Sequence, residues 1–330
     1  MNIPPEDAVL VPAALLQAGV VALITAAGLE ASKANLLAGL LVANDLRGVF
    51  SHGTRQAATY ARLIADGTLN GHPQVRQVAE REATATFDGD GGLGYFPANE
   101  AAHWLIEPAR RYGVAVALTR NHGHFGAAGI YSRIIVAADL IAYVTSGHQL
   151  QLNPGQSVRA AAGGSPMSFG IPGGSEPPLL LDFGTMHDLY VGSDNNLPAL
   201  FAMAPSLVVR NVGLGMVCQV LGGFLAGVPV EEERAEKVYR GANQGSLMIA
   251  IDPTRFLPLE QLTAEMDRYH SLVHTLTPLS PSTVAVLPGT LEAQREQEYA
   301  EAGIPVGKAH RKALEEAAQR FGLTFPFAEA

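Results

Sequence analysis

The chain has 330 residues, of which 48% are hydrophobic and 16% are charged, and this composition is typical of a globular protein rather than a disordered one. The formal net charge is −9, and because no run of Lys or Arg occurs, we expect no nucleic-acid-binding surface. The single cysteine, Cys218, excludes an internal disulfide and any multi-cysteine metal site, and its apolar neighbours predict that it is buried.

The apolar stretch over residues 9–30 resembles a signal peptide in hydrophobicity but not in charge. The residues before it are acidic, and the first basic residue is Lys33. Pro12 and Gln17 also argue against a membrane span. We therefore expect helices in a cytoplasmic protein that does not associate with membranes.

Two helices are predicted in the first seventy residues. The first covers 32–48, with Ser32 as its N-cap and a leucine-rich face, and the second covers 53–67 and ends at Gly67. The short stretch "FSHG" lies at the break between them.

Strand-like runs alternate with helical ones in the rest of the chain, which predicts a mixed α/β fold. Strands are predicted at 83–89, 114–120, 140–147, 178–184, 246–253 and 283–289. Helices are predicted at 97–113, 126–139, around 205–227 and at 308–322. The glycine-rich stretch 151–178 lacks periodicity and is predicted to be a long loop.

We expect three regions along the chain: a helical N-terminal region over 1–75, a central α/β domain over 76–260, and a C-terminal α/β segment over 261–330 that packs back on the N-terminal region.

The stretch "GDGGLG", residues 89–94, fits the glycine pattern of dinucleotide-binding loops and follows a predicted strand. Three features argue against that role. Asp90 places a carboxylate where a pyrophosphate would bind, and Pro97 is expected to delay the following helix. No strand ending in Asp or Glu occurs about twenty residues later. We interpret the stretch as a glycine-rich turn.

Two of the ten histidines, His52 and His124, lie beside glycines in breaks between regular elements, where side chains can face a cleft. An imidazole titrates near pH ~6.5 and suits proton transfer at neutral pH, so both are candidates for catalysis. Arg55 could bind a carboxylate by two hydrogen bonds, and Tyr60 could orient it. His122 is expected to point away from His124.

The remaining histidines carry weaker signals. Those at 72, 103, 270, 274 and 310 are expected to be ordinary surface or boundary residues. His270 and His274 have the spacing of zinc ligands on a helix, but no third ligand is near in sequence, so no metal site is expected. The roles of His148 and His187 stay open.

Two stretches of the chain, "DLRGVFSHGTRQAATY" and "NHGHFGAAGIYS", have the form of family signatures. They resemble the first and second signatures of the malate/L-lactate dehydrogenase type 2 family, and the similarity covers almost the whole chain. "GGSPMSFGIPGG", "LLLDFGT", "GLGMVCQVLGGFLAG", "LMIAIDPTRF" and "VAVLPG" follow in the order found in the family.

The resemblance implies a non-Rossmann α/β fold that binds NAD or NADP, a homodimer, and hydride transfer to or from a small 2-oxo or 2-hydroxy acid or a cyclic 2-imino acid. His124 matches the proton donor and acceptor of the family. The positions that match its substrate pocket are Ser51, His52, Arg55 and Tyr60. The positions that match its cofactor contacts are Ser146, Ser165, Asp182 and Thr185, and Arg210 matches a basic residue there. The implied mechanism requires no metal.

The chain departs from the family pattern on the cofactor side. The departures are at Gly164–Pro166, Asp182–Met186, Arg210–Leu214 and Pro288–Thr290, and the segment between Asp182 and Gly213 is shorter than in relatives. Two alternatives to a dehydrogenase therefore remain open. One is a cofactor-free lyase, isomerase or decarboxylase that acts on a related acid, and the other is a non-catalytic paralogue.

Overall fold

The computed structural model describes residues 3–185, 197–281 and 283–327. The chain divides into two compact units, of which the first combines Met1–Pro73 with Val273–Ala330 and the second is Gln74–Leu272. A boundary was expected after residue 75 and another after residue 260. The helix Leu259–Val273 extends across the second of these positions.

The first unit contains both ends of the described chain. Its helices are α1 (Ala13–Ala26), α2 (Ala31–Leu46), α3 (Ala57–Ala65), α10 (Thr290–Ala302) and α11 (Lys308–Arg320). Its strands are β1 (Val9–Val11) and β9 (Ile304–Val306), which pair antiparallel with Val9 opposite Val306.

Three sequence-based expectations for this unit need correction. Val9–Val11 is a strand rather than the start of a helix, because it finds a partner strand far along the chain. Helix α2 begins at Ala31, so Ser32 lies inside it and donates a hydrogen bond to Glu30 Oε1 (2.6 Å) instead of capping it. The segment 283–289 forms no strand. The predicted C-terminal ends of α3 and α11 lie within two residues of those observed, whereas α3 begins at Ala57, four residues after its predicted start.

The second unit is built on a seven-stranded sheet. Its strands are β2 (Arg76–Arg81), β3 (Thr84–Asp88), β4 (Val114–His122), β5 (Ile141–His148), β6 (Pro166–Ile171), β7 (Leu179–Gly184) and β8 (Gln244–Ile251). Its helices are α4 (Tyr95–Trp104), α5 (Ile106–Tyr112), α6 (Gly129–Val136), α7 (Leu197–Met203), α8 (Pro205–Gln219) and α9 (Leu259–Val273), and α8 continues as a wider turn over Val220–Phe224.

The strand order is β2-β3-β4-β8-β5-β6-β7, and β3–β4 is the parallel pair while the other neighbours are antiparallel. The prediction of a mixed α/β fold is confirmed. Strand β8 lies between β4 and β5 and pairs with both, so it joins the strand that leads to His124 to the strand that carries Ser146.

Some predicted elements in this unit have different limits. The stretch 151–178 contains a 3-10 helix at Val158–Ala162 and the whole of β6, so it is not one long loop. The helix expected over 97–113 is two helices, and the first begins at Tyr95. Strands β3, β4, β5, β7 and β8 agree with their predictions within about two residues.

Among the described residues, Pro205–Phe224 is long and apolar enough to cross a membrane by length and composition alone. The most apolar window of this segment is 39% buried within the protein. Core helices of soluble proteins meet the same criterion, so one such helix is weak evidence for a membrane span.

Candidate active site

The predicted substrate-binding residues of the first unit lie around a tight turn between α2 and α3. His52 ends a 3-10 turn, and its ring nitrogen Nδ1 lies 3.0 Å from Ser51 Oγ. Asn44 Nδ2 donates to the His52 carbonyl oxygen at 2.9 Å. The hydrogen bond from Asn44, which lies on α2, therefore fixes the backbone of His52. The side chain of His52 is only half-buried.

A fully buried carboxylate, Asp45, supports this turn. Its Oδ2 accepts hydrogen bonds from Thr54 N at 2.9 Å and from Thr54 Oγ1 at 2.5 Å. Desolvation raises the pKa of Asp45 to about 7, although both hydrogen bonds act in the opposite direction. A Cβ atom at Gly53 would overlap Asp45 Oδ1, so only glycine fits the third position of Ser-His-Gly.

Thr54 also joins Asp45 to His310 at the start of α11. His310 Nε2 lies 3.2 Å from Thr54 Oγ1. Because Thr54 donates its hydroxyl proton to Asp45, its oxygen can accept from a His310 ring that is protonated at Nε2. Burial, and then the nearby charge of Arg55, lower the pKa of His310 to about 4. The prediction of a surface or boundary role for His310 is wrong in this respect, because the ring is buried and hydrogen-bonded.

Arg55 and Tyr60 differ in exposure. Arg55 is exposed, and no ion pair joins it to a carboxylate of the described residues, so its guanidinium can receive a ligand carboxylate. Tyr60 is 1% exposed and belongs to the core of the first unit. Their roles at a substrate pocket stay predictions.

In the second unit, His124 lies between the end of β4 and the start of α6, and its side chain is half-buried. Its carbonyl oxygen accepts from Gly94 N at 3.0 Å. The next carbonyl, of Phe125, accepts from the Tyr131 hydroxyl. Gly129 N, five residues after the histidine, donates to Asp182 Oδ2 at 2.8 Å. The segment that carries His124 is thus held by hydrogen bonds at the backbone of residues 124, 125 and 129.

The "GDGGLG" stretch pairs with this segment. Four backbone hydrogen bonds of 2.8–3.0 Å join them: Gly89 N to Arg120 O, Gly91 N to Asn121 O, Gly123 N to Gly92 O, and Gly94 N to His124 O. Amides that face the protein's own carbonyls cannot bind a pyrophosphate, which supports the interpretation as a turn. The argument from Pro97 is wrong, since α4 begins at Tyr95 and Pro97 fits in its first turn.

The five predicted cofactor contacts fall into two groups. Ser165 Oγ donates to the carbonyls of Ala162 and Gly215, and Asp182 binds Gly129 N, so both side chains already hold the protein's own backbone. The other group is less engaged. Thr185 Oγ1 is buried without a hydrogen-bond partner among the described residues, Ser146 lies near the end of β5, and Arg210 is exposed on α8.

A hydroxyl without a partner and an exposed guanidinium suit the ribose and phosphate oxygens of a nicotinamide cofactor. Thr185 and Arg210 therefore fit the implied cofactor by chemistry. Residues 186–196, which follow Thr185 and include Met186 and His187, lie outside the described residues.

The other singled-out residues have structural surroundings. His270 is buried and lies 3.2 Å from Glu176, so its prediction as an ordinary surface or boundary residue is wrong in this respect. Cys218 is buried as predicted, and burial raises the pKa of its thiol. No group of three or more His, Cys, Asp or Glu side chains that could hold a metal ion occurs within the described ranges.

The sequence did not single out Asp45, Thr54, Thr119 or Ser246, which are all buried. Thr54 is hydrogen-bonded to Asp45 and His310, and Thr119 is hydrogen-bonded to His122 and Ser246. Asp45 carried a signal, because it opens the first quoted signature. The other three are small hydroxyl residues whose partners only the fold reveals.

Comparison with known proteins decides the family. The model of the malate/L-lactate dehydrogenase family matches residues 11–187 and 199–315 of this chain. This chain belongs to that family. The prediction made from the two signatures is therefore confirmed, and membership makes the chain an oxidoreductase with the fold of that family.

Individual relatives have low sequence identity to this chain, but the matches cover most of both sequences. Malate dehydrogenase from Pyrococcus horikoshii is 24% identical over 295 residues, which cover 80% of this chain and 82% of the relative. Ureidoglycolate dehydrogenase (NAD(+)) from Escherichia coli K12 is 25% identical over 305 residues, or 85% and 87% of the two chains. The solved structure of malate dehydrogenase from Pyrococcus horikoshii OT3 has a TM-score of 0.82 at 23% identity and covers 98% of both chains.

Proposed function

We propose that this protein transfers a hydride between a nicotinamide cofactor and a small 2-oxo or 2-hydroxy acid, or a cyclic 2-imino acid, with His124 as the proton donor and acceptor. The observation that carries the proposal is the family match over residues 11–187 and 199–315 together with the anchored segment around His124. The relatives that match are dehydrogenases, and nothing in the comparisons favours a cofactor-free lyase or isomerase.

His124 meets the chemical need of such a reaction. A reduced carbonyl becomes an alkoxide unless a proton arrives, and a positioned imidazolium supplies one at neutral pH. A bound nicotinamide cofactor would supply the hydride. The backbone hydrogen bond from Gly94 N to the His124 carbonyl oxygen keeps the histidine in place.

Arg55 is the residue that we assign to the substrate carboxylate. Its guanidinium is exposed, always charged and able to form two parallel hydrogen bonds with a carboxylate. Ser51 and His52 are assigned to hydrogen bonding with the substrate's other polar atoms, since they lie at the surface of a turn that Asp45 and Asn44 hold rigid.

NAD is the cofactor that we propose, with NADP as the other outcome of the test. One relative, from Escherichia coli, bears NAD(+) in its name. Thr185 and Arg210 supply a hydroxyl and a cation for its oxygens, and Ser146 is a third contact. Ser165 and Asp182 are assigned to the walls that shape this site, because their side chains bind backbone atoms.

We propose a homodimer located in the cytoplasm. The exposed face of α7, α8 and the turn after them supports the dimer, because it carries large apolar side chains that a second copy could cover. These are Phe201, Met203, Leu207, Val209, Leu214, Val217, Val220 and Leu225. The location is supported by the presence of a single cysteine, which is buried and forms no disulfide within the chain, as is common for cytoplasmic proteins.

Cofactor titration tests the proposal. The protein is titrated with NADH and with NADPH while the fluorescence of Trp104 is followed, and its melting temperature is measured in parallel. A nucleotide at 100 times its Kd should add about 2.7 kcal/mol of stability. A screen of 2-oxo and cyclic imino acids follows with the nucleotide that binds. Failure of both nucleotides to bind at millimolar concentration would refute the redox function.

His124→Ala is the matching variant. We expect turnover to fall at least ~100-fold while the nucleotide still binds, because only the proton donor is removed. A loss of less than tenfold would refute the assignment of His124.

A further inference from the structure

The two histidines of "NHGHFG" have different surroundings. His124 is half-buried, whereas His122 at the end of β4 is completely buried. The ring of His122 is held on both sides, since its Nδ1 lies 2.7 Å from Gly123 O and its Nε2 lies 2.7 Å from Thr119 Oγ1. No role in the reaction has been assigned to this ring.

The geometry fixes which atom carries the proton. A carbonyl oxygen can only accept, so Nδ1 of His122 is protonated and donates to Gly123. Nε2 of the neutral ring then accepts from Thr119 Oγ1, whose oxygen lies 2.6 Å from Ser246 Oγ and accepts from it. Thr119, His122 and Ser246 are each 0% exposed. The result is a directed chain of hydrogen bonds that ends at the peptide joining Gly123 to His124.

The pairing register of the sheet supports this chain of hydrogen bonds. Thr119 on β4 lies opposite Ser246 on β8, and Ser246 lies opposite Ser146 on β5. One row across three strands therefore links the hydroxyl that holds His122 to a predicted cofactor residue.

The glycine-rich turn closes on the other side of the imidazole. A Cβ atom at Gly94 would lie 2.5 Å from His122 Nδ1 and 2.6 Å from Phe125 Cβ. A Cβ atom at Gly89 would lie 2.8 Å from His122 Cβ. Such contacts are too short for any side chain, so the glycines of "GDGGLG" allow the turn to pack on His122. The peptides on both sides of Gly123 are thus held by the ring and by this turn.

We propose that His122 is a positioning residue for His124, and that the turn 89–94, Thr119 and Ser246 hold its ring so that the peptide after Gly123 presents the His124 imidazole in one place. The inference rests on the proposed role of His124. A displacement of about 1 Å at a reacting group can cost on the order of 100-fold in rate, so a fixed backbone here bears directly on turnover.

Burial also prevents His122 from interfering with the chemistry. Desolvation lowers the pKa of His122 to about 4, against the effects of Gly123 and Asp88. At neutral pH the ring is therefore uncharged. A second positive charge two residues from His124 would disfavour the protonated form that the proton donor needs.

The test compares His122→Leu, which removes both hydrogen bonds, with His122→Asn, whose amide keeps a donor for Gly123 O. His270→Leu is the matched control, because it removes another buried histidine of the same unit that has no part in the proposed site. The readouts are kcat, the Kd of NADH, amide exchange at Gly94 and Gly123, and the NMR signal of the His124 ring.

We expect His122→Leu to lower kcat at least tenfold, to leave the Kd of NADH within twofold, and to shift the His124 ring signal. His122→Asn should recover part of kcat, and His270→Leu should change neither kcat nor the His124 signal. If His122→Leu does not fold, Thr119→Val removes only the hydroxyl at Nε2 and should lower kcat in the same direction.

Two results would overturn the inference. One is a kcat within twofold of the wild type in His122→Leu although amide exchange at Gly94 has risen, since the ring would then serve stability alone. The other is an unchanged His124 signal in that variant. The NMR comparison needs no turnover. Absence of turnover and of NADH binding in the wild type would therefore count against the proposed function and not against the positioning by His122.

Discussion

The buried carboxylate of Asp45 predicts an unusual dependence of stability on pH. Its pKa is raised from 3.8 to about 7 in the folded protein because the group is desolvated. A folded-state pKa above the unfolded value means that the folded protein binds the proton more tightly. This contribution to stability is complete below pH 3.8 and is lost as the pH rises through about 7.

The size of the effect follows from the shift. Each unit of pKa corresponds to about 1.4 kcal/mol, so the whole shift corresponds to about 4 kcal/mol. Between pH 5 and pH 8 the contribution of Asp45 to the free energy of unfolding of the wild type should fall by about 2.5 kcal/mol. Asp45→Asn keeps an oxygen to accept from Thr54 but cannot ionise, so its free energy of unfolding should lack that loss. The amide group that replaces Oδ1 also has no hydrogen-bond partner at that position. The resulting loss of stability is the same at every pH, so it does not change the slope of stability against pH.

The assay is urea unfolding at pH 5, 6, 7 and 8, followed by circular dichroism, together with amide exchange at Thr54, whose N–H donates to Asp45. His122 and His310 have lowered pKa values, so their contribution is present above pH 6.5 and is lost as the pH falls through about 4. They are common to both proteins and cancel in the difference. Parallel pH profiles for the wild type and Asp45→Asn would refute the reasoning.

Asp267→Asn is the control. The carboxylate of Asp267 accepts hydrogen bonds from the backbone of residues 174–176, chiefly Ser175, which lower its pKa to about 2. Its stabilising effect is present above pH 3.8 and is lost as the pH falls through about 2. Removing it should lower stability equally at pH 5 and pH 8.

Four further substitutions have expected outcomes. Gly53→Ala should destabilise the first unit by about 1–3 kcal/mol or more in urea unfolding, because its methyl group would overlap Asp45, and wild-type stability would contradict this. Arg55→Lys should raise KM at little cost in kcat, since an ammonium cannot form the two-pronged contact; an unchanged KM would argue against that role. Arg210→Glu should raise the Kd of NADH, and an unchanged Kd would remove Arg210 from the cofactor site. Gly129→Ala should lower kcat, since its methyl group would lie 2.6 Å from Asp182 Oδ2; normal kcat would show that this link is dispensable.

The sequence predicted most of the elements whose residues face one consistent environment. Strands β4, β5 and β8 are short apolar runs in the middle of the sheet, so their hydrophobicity alone located them. Strands β1 and β9 are three residues each and depend on one another, and no local pattern encodes a partner so far along the chain. Strand β6 was missed because its glycine and proline neighbours are typical of loops, although it is paired on both sides.

The candidate site was predictable where a motif names the residue and not where the fold supplies the partner. His52 and His124 were singled out as candidates by their glycine neighbours and by the two signatures, and their roles stay predictions. The difference between His122 and His124 was not, because burial of one ring depends on Thr119 and Ser246 meeting across β4 and β8. The histidines at 270 and 310 looked like surface residues for the same reason: their polar partners, Glu176 and Thr54, are distant in sequence.

The pairing of β1 with β9 has a consequence for how the protein is made. Strand β1 of the first unit lies at Val9–Val11 and its partner β9 at Ile304–Val306, so the whole second unit is synthesised between them. Domains generally fold as they leave the ribosome, so the second unit is expected to fold first although it is encoded second. The surfaces of α2 and α3 stay uncovered until α10, which packs on α2, and α11, which packs on α3, have been synthesised. In the cell, the N-terminal helices are therefore the segment most in need of a chaperone during translation.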